Sequence, residues 1–276
     1  MKKKFARGFT LVEMIVVIAI TGIIAAAVAA FLVRPVQGYA DSARRAELTD
    51  LADTALRRIT RDVRTALPNS IRVTTNGGVN YLEYLQTSGG GRYRQDVDGG
   101  GLGNTLDFTV SGGDSSFEVF GTAPTCASGE FVVVYNLNSN SAITTSNAYS
   151  GDNRATCLSS TATTITLTAA KHFPFASPGK RFHVVQYPVT YSCSPTSGQL
   201  RRFSGYTIQT AQPNDIAAVP LSTAPVNALL AQNVAGCSFS YSEVNQRTGV
   251  LILFLQLTSG GESVQLFQQV HVNNVP

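Results

Sequence analysis

Residues 9–33 read FTLVEMIVVIAITGIIAAAVAAFLV, apolar throughout except for Glu13 and a few small polar side chains. The rest of the chain must sit wherever this segment delivers it. At about 1.5 Å of rise per residue it forms a helix of roughly 37 Å, enough to cross a hydrocarbon core of about 30 Å with some tilt. The carboxylate of Glu13 is the anomaly. A lone charge costs on the order of 2.5 to 3.5 kcal/mol near the bilayer centre and less near a helix end, so Glu13 either reaches back to the interface or has a partner.

The segment preceding it, residues 1–8, reads MKKKFARG. Lys2, Lys3, Lys4 and Arg7 hold this end in the cytoplasm by the positive-inside rule, which sends the polar bulk of the chain across the membrane. Ala27-Val28-Ala29 satisfies the small-x-small pattern of a secretory cleavage site. The apolar run is longer than a secretory core, however, and carries a carboxylate, so a temporary anchor fits better.

Gly8-Phe9-Thr10-Leu11-Val12-Glu13, between a basic leader and a long apolar run, resembles the type III signal of type IV prepilins and pseudopilins. The resemblance implies a prepilin peptidase that cuts after Gly8 and methylates the new amine of Phe9, with Glu13 as the assembly acid. Gly8 offers no side chain to obstruct a protease. The amine released at Phe9 is a cation that could neutralise Glu13 of a neighbouring subunit, and register would follow; an intramolecular pair is the competing version.

The formal charge of +4 belongs to the leader, whose four positive side chains account for all of it and leave 17 basic against 17 acidic groups. Global basicity therefore gives no reason to expect a nucleic-acid partner. Charged residues make up only 14% of the chain while Gly, Ser, Thr and Asn abound, a balance typical of an extracytoplasmic β domain. Cys126, Cys157, Cys193 and Cys237 are widely spread without a C-x-x-C pair, which argues against a zinc ribbon or thioredoxin motif. Two disulfides are the natural reading outside the cytoplasm. Three connectivities exist, and Cys126–Cys157 with Cys193–Cys237 is preferred because these pairs close neighbouring stretches.

After Pro35 the helix is expected to continue with a bend. Leu48, Leu51, Ala52, Ala55, Ile59, Val63 and Ala66 recur at threes and fours and define one apolar face. Arg44, Arg45, Arg57, Arg58, Arg61 and Arg64, interleaved with Glu47, Asp50, Asp53 and Asp62, read as a solvated face rather than a phosphate-binding one. Pro68 and Asn69 are expected to end the helix. Short strand patterns follow at 71–75, 81–85, 105–110, 117–120, 130–135, 163–168 and 182–187, separated by glycine-rich turns. Residues 237–243, 250–257 and 264–272, joined by NQRTG and TSGGE, read as an antiparallel meander. The expected fold class is α+β: a long N-terminal helix, transmembrane then amphipathic, packed on a mostly antiparallel β-sheet. The organisation is a leader at 1–8, a transmembrane and filament-packing helix at 9–33, its amphipathic continuation at 34–67, and a globular domain at 68–276.

Candidate chemistry is sparse. Gly89-Gly90-Gly91 and Gly99-Gly100-Gly101 bracket a polar loop but give no phosphate-binding fingerprint. Asp96, Asp98, Gly101, Asn104 and Asp107 fall near calcium-loop positions, yet Gly100 stands where a ligand belongs and the final bidentate Glu is missing. His172, His183 and His271 have no ligand spacing, and neither G-x-S-x-G nor H-E-x-x-H occurs. No catalytic residue, metal or cofactor is expected, and the chain is read as a non-enzyme. Exposed tyrosines such as Tyr93 and Tyr149 could serve a binding surface, although turns and sheet packing explain them adequately.

Val189-Thr190-Tyr191-Ser192-Cys193, Gly198-Gln199-Leu200-Arg201-Arg202, residues 233–241 (NVAGCSFSY) and the ending QVHVNNVP are similar to minor pilin-like proteins of mannose-sensitive haemagglutinin (MSHA) pilus systems. J-type minor pseudopilins of type II secretion are close in architecture. The resemblance implies a minor subunit that helps start or cap a filament. Its partners would be the prepilin peptidase, other major and minor pilins and the inner-membrane assembly platform. It would be held single-pass in the bacterial inner membrane with its head in the periplasm, then carried into the pilus or its tip. A bulky head is easier to accommodate at a tip than along a filament. A tip adhesin and a membrane-tethered periplasmic enzyme are the other classes.

Overall fold

The computed structural model describes residues 8–109, 111–245 and 248–276. The basic leader up to Arg7, Val110 at the end of one expected strand, and two residues of the NQRTG turn lie outside them. Among the described residues one α-helix, α1 (Leu11–Val63), runs unbroken through Pro35. It ends earlier than the sequence suggests. Arg64 caps it, and the chain turns to lay Ala66 beside Gln86 in an isolated bridge. Two backbone bonds fix the exit, Leu67 N to Leu85 O at 2.8 Å and Thr87 N to Thr65 O at 2.9 Å. The competing sheet partner, rather than Pro68, therefore terminates the helix.

The twelve strands are β1 (Arg72–Asn76), β2 (Val79–Tyr93), β3 (Asp114–Phe120), β4 (Phe131–Val134), β5 (Arg154–Ser160), β6 (Thr164–Lys171), β7 (Arg181–Ser194), β8 (Gln199–Ser204), β9 (Val226–Ala231), β10 (Val234–Asn245), β11 (Thr248–Ser259) and β12 (Glu262–Asn273). Every pairing is antiparallel. The meander β10–β11–β12 forms as the sequence suggests, and Leu251, Leu253, Leu255 and Leu257 alternate into the core. The other nine strands form one sheet in the order β1-β2-β3-β6-β5-β4-β7-β8-β9, with β2 also pairing β7.

That extra pairing closes a ring. From β2 through β3, β6, β5, β4 and β7 back to β2, six strands form a small barrel, while β1, the first part of β2, the second part of β7, β8 and β9 form an open platform. β2 and β7, 15 and 14 residues long, serve both. The β2–β7 register slips at Gln86, Thr87 and Gly89, where β2 leaves the platform for the barrel. A bulge bends a strand and re-aims it in this way.

The platform and the meander together cover the apolar face of α1. Leu48, Ala52, Ala55, Leu56, Ile59 and Val63 are buried against Leu82, Tyr84, Val189, Tyr191 and the meander leucines. The barrel has its own core around Tyr93, Leu106, Phe117, Val132, Phe173, Phe182 and Val184. It lies beyond the C-terminal end of α1, since the helix exit meets β2 at residues 85–87 and β2 then runs on into the barrel.

Several sequence expectations change here. Residues 105–109 are not a strand, and β5, β8 and β9 are strands beyond those expected from the sequence. Gly89-Gly90-Gly91 is not a turn but lies within the last third of β2. A Cβ on Gly90 would stand 2.9 Å from Phe182 O, and one on Gly91 3.0 Å from Phe182 Cε1, so these glycines permit close strand approach.

Candidate assembly site

At the start of α1, Thr10 is the N-cap. Its Oγ1 accepts from Glu13 N at 3.2 Å, and Glu13 Oε2 accepts from Thr10 N at 3.5 Å. This is a capping box, which satisfies two of the helix's free N–H groups and gives the carboxylate a local partner at the positive end of the helix dipole. The signature T-x-x-E stands in the sequence at the start of the apolar run, where it marks a helix N-terminus. Gly8 and Phe9 precede the cap and are exposed, Phe9 at 77%.

From Leu11 to Leu32 every side chain on the helix is exposed, Leu11 and Phe31 at 77% among them. α1 is the one helix among the described residues long and apolar enough to cross a membrane. Such a bare apolar surface calls for lipid or other helices around it.

The head begins where this shaft ends. The β11–β12 hairpin tip reaches the helix, with Arg44 Nη1 donating to Gly260 O at 3.3 Å and pairing with Asp41 at 3.1 Å, while Arg45 pairs with Glu262. Gly260 has φ +57°, and a Cβ there would stand 2.7 Å from the Arg44 guanidinium, so the turn and the clasp both require glycine.

A second attachment sits near the end of α1. Asp62 Oδ2 accepts from Tyr191 OH at 2.8 Å, Arg202 Nε at 2.9 Å and Arg58 Nε at 3.2 Å. Asp62 is thus no solvated-face residue: it joins the helix to β7 and β8. Burial, with Asp62 adding to it, pushes the Tyr191 hydroxyl well above its ordinary value. A third polar group lies deeper. Glu83 accepts from Arg72 Nε at 2.5 Å and Tyr206 OH at 2.8 Å, and Arg72 also donates to the Thr210 and Gln209 carbonyls. Full burial pushes the Glu83 carboxyl up against the opposing pull of Arg72.

Disulfides join Cys126 to Cys157 in the barrel and Cys193 to Cys237 between β7 and β10, where the bond links platform to meander. The loop at 96–107 spends its acids elsewhere. Asp96 pairs with Lys180 at 2.7 Å, Asp98 accepts from Gly100 N and Leu102 N, and Asn104 donates to Ser116. Among the described residues no three His, Cys, Asp or Glu side chains converge on a metal site. His172 lies against Phe108 O at 3.0 Å, His271 is exposed on β12, and His183 has its Nε2 buried without a partner. Tyr93 and Tyr149 are not exposed but buried to 1% or less. Tyr93 OH accepts from Ser177 N at 2.9 Å, and Tyr149 OH donates to Ser70 O at 2.7 Å beneath the Arg72 guanidinium. They are core residues and offer no binding surface.

The prokaryotic N-terminal methylation motif matches residues 3–29, the leader, the cap and most of the bare shaft. It is a type IV pilin-like signal and implies a prepilin peptidase substrate that assembles with other pilins. Neither the curated proteins nor the solved structures include a match to the chain.

Proposed function

We propose that this protein is a minor pilin-like subunit that helps initiate or cap a type IV pilus of the MSHA kind, with the later motifs resembling the minor pilin-like protein MshO. The observation that carries the reading is the capped, fully exposed apolar shaft coinciding with the methylation motif. A shaft of this kind is stable in lipid before assembly and between neighbouring helices after it. The head is large for a subunit repeated along a filament, which favours a tip or starting complex. Gly8 is the cleavage position, Phe9 the methylated residue and Glu13 the acid that sets register. The chain is anchored single-pass in the inner membrane with its head in the periplasm, and it acts by assembly rather than catalysis.

The test is replacement of the chromosomal copy by Glu13→Ala, with pilus counts and the mass of the mature N-terminus as readouts. Cleavage and methylation at Phe9 are expected to persist while incorporation and pilus number fall about tenfold or more. Normal incorporation of the variant would refute the register role. Normal pili in a deletion strain would remove the initiating role and leave the adhesive one.

A further inference from the structure

The barrel carries an arrangement that assembly does not use. Arg92 on β2 and Arg181 on β7 stand directly opposite each other in the antiparallel register. Like charges at such a position destabilise a strand pair. Among the described residues neither guanidinium has an acidic partner, although Arg94 nearby is paired with Glu118 at 2.6 Å and Lys180 with Asp96. The two arginines border an open cleft of about 420 Å³, lined also by Gly90, Thr122, Phe120 and His183.

The lining follows from strand alternation. Phe182 and Gly91 face the barrel core, so Arg181, His183, Gly90 and Arg92 face outward together. Gly90 lies opposite His183 and has no side chain, which leaves a notch beside the imidazole. The Nε2 of His183 is buried without a hydrogen-bond partner. On the other side Phe120, opposite Arg92, presents an aromatic ring that is 53% exposed and carries the Arg94 guanidinium 5.0 Å from its centroid, so that one ring face is left for a ligand. No carboxylate lines the cleft.

We infer that this cleft binds an oxyanion group, and that its occupant is the sulfate or carboxylate of an anionic polysaccharide. Two guanidinium groups match an oxyanion with charge-assisted hydrogen bonds. An exposed aromatic ring beside polar groups in a shallow, open cleft suits the face of a sugar ring, and an open cleft admits a group borne on a long polymer. The barrel's position beyond the helix end holds the cleft away from the membrane that receives the shaft, which disfavours the phosphates of that membrane's lipids. An anion between Arg92 and Arg181 also relieves the repulsion that the register imposes. This site is independent of the assembly reading and stands or falls without it.

The test uses the full chain in neutral detergent micelles, with dextran sulfate as probe, neutral dextran and anionic phospholipid vesicles as the other arms, and inorganic sulfate in thermal melts. Dextran sulfate is expected to bind, neutral dextran not to, and Arg92→Gln and Arg181→Gln each to weaken binding at least about tenfold. Without anion each variant is expected to melt at or above the wild-type temperature, because a repulsion has gone; sulfate is expected to raise the wild-type midpoint and to leave the variants' unchanged. Arg57→Gln, on the exposed face of α1, is expected to bind like wild type. Equal loss in Arg57→Gln would mean only general attraction between polyelectrolytes and would overturn the site. Retained binding in both cleft variants, or tighter binding to vesicles than to dextran sulfate, would overturn it as well.

Discussion

Replacing Asp62 by alanine tests how the helix is fixed to the head. Its carboxylate, 11% exposed, accepts from Tyr191, Arg202 and Arg58. The Arg58 contact is a half-exposed i,i+4 pair and contributes about 0.5 kcal/mol at most. The Arg202 contact differs, because that side chain is 9% exposed and loses its one acidic partner among the described residues. Breaking a buried pair from one side costs about 3 to 5 kcal/mol. Arg202 keeps bonds to Ser204 at 2.8 Å and Gln86 at 3.5 Å, which places Asp62→Ala at the low end, about 3 kcal/mol. The double variant Asp62→Ala with Arg202→Met removes both charges and is expected to lose less than Asp62→Ala alone. Urea unfolding in detergent, followed by circular dichroism because the chain has no tryptophan, measures all three. A loss below about 1 kcal/mol for Asp62→Ala, or additive losses in the double variant, would refute the argument that the pair is effectively buried.

Two further outcomes follow from the barrel. Gly91→Ala is expected to destabilise by about 1 to 3 kcal/mol, since its Cβ would press on Phe182 and Val119 at 3.0 and 3.1 Å, whereas Gly112→Ala, with open space around it, is not. Thermal melts compare them, and equal midpoints would mean that Phe182 yields freely. The second outcome concerns pH. Burial first, and then Arg181, lowers the His183 pKa from 6.5 to about 4. Arg181 and, from β2, Arg92 are the charges beside it, while β4 contributes apolar Val133 and no carboxylate. The unfolded chain takes up a proton that the native imidazole refuses. The stability tied to this neutral histidine is therefore complete above about pH 6.5 and is lost progressively as pH falls toward 4, by about 3 kcal/mol in all. In sulfate-free buffer His183→Gln is expected to flatten that part of the profile, and an unchanged slope would exclude His183 as its source.

The helix was legible because two periodicities are written plainly in it. An all-round apolar run gives way to a stripe at threes and fours, and all of that stripe except Leu51 and Ala66 is buried, with Leu56 added to it. The meander was legible because its strands alternate and its turns are short. The barrel was not, because closure depends on one long-range pairing, β2 with β7, that no local pattern announces. Its glycine run looked like a turn, since composition cannot distinguish a glycine needed for φ from one needed for space. Tyr93 and Tyr149 are buried, as the sheet-packing alternative has it and the exposed one does not. Their hydroxyls find partners inside the fold, Ser177 and Ser70, from segments far away in sequence.

In the proposed reading those same features let one helix serve two environments. The described shaft side chains, Leu11 to Leu32, are all exposed and none belongs to the core, so in the proposed reading the shaft can pass from lipid to a bundle of helices without disturbing the core. The two attachments, at Arg44 and Arg45 and at Asp62, bracket the buried face and tie the head to the second half of α1. Glu13 fits this division. In the isolated chain its carboxylate caps its own helix at a long 3.5 Å, a contact weak enough to exchange for a cation. In the proposed reading, cleavage after Gly8 creates that cation at Phe9, so the capping box keeps Glu13 partnered until a neighbouring subunit offers the stronger bond. The awkward charge in the apolar run is then held in cis until assembly and paired in trans by it.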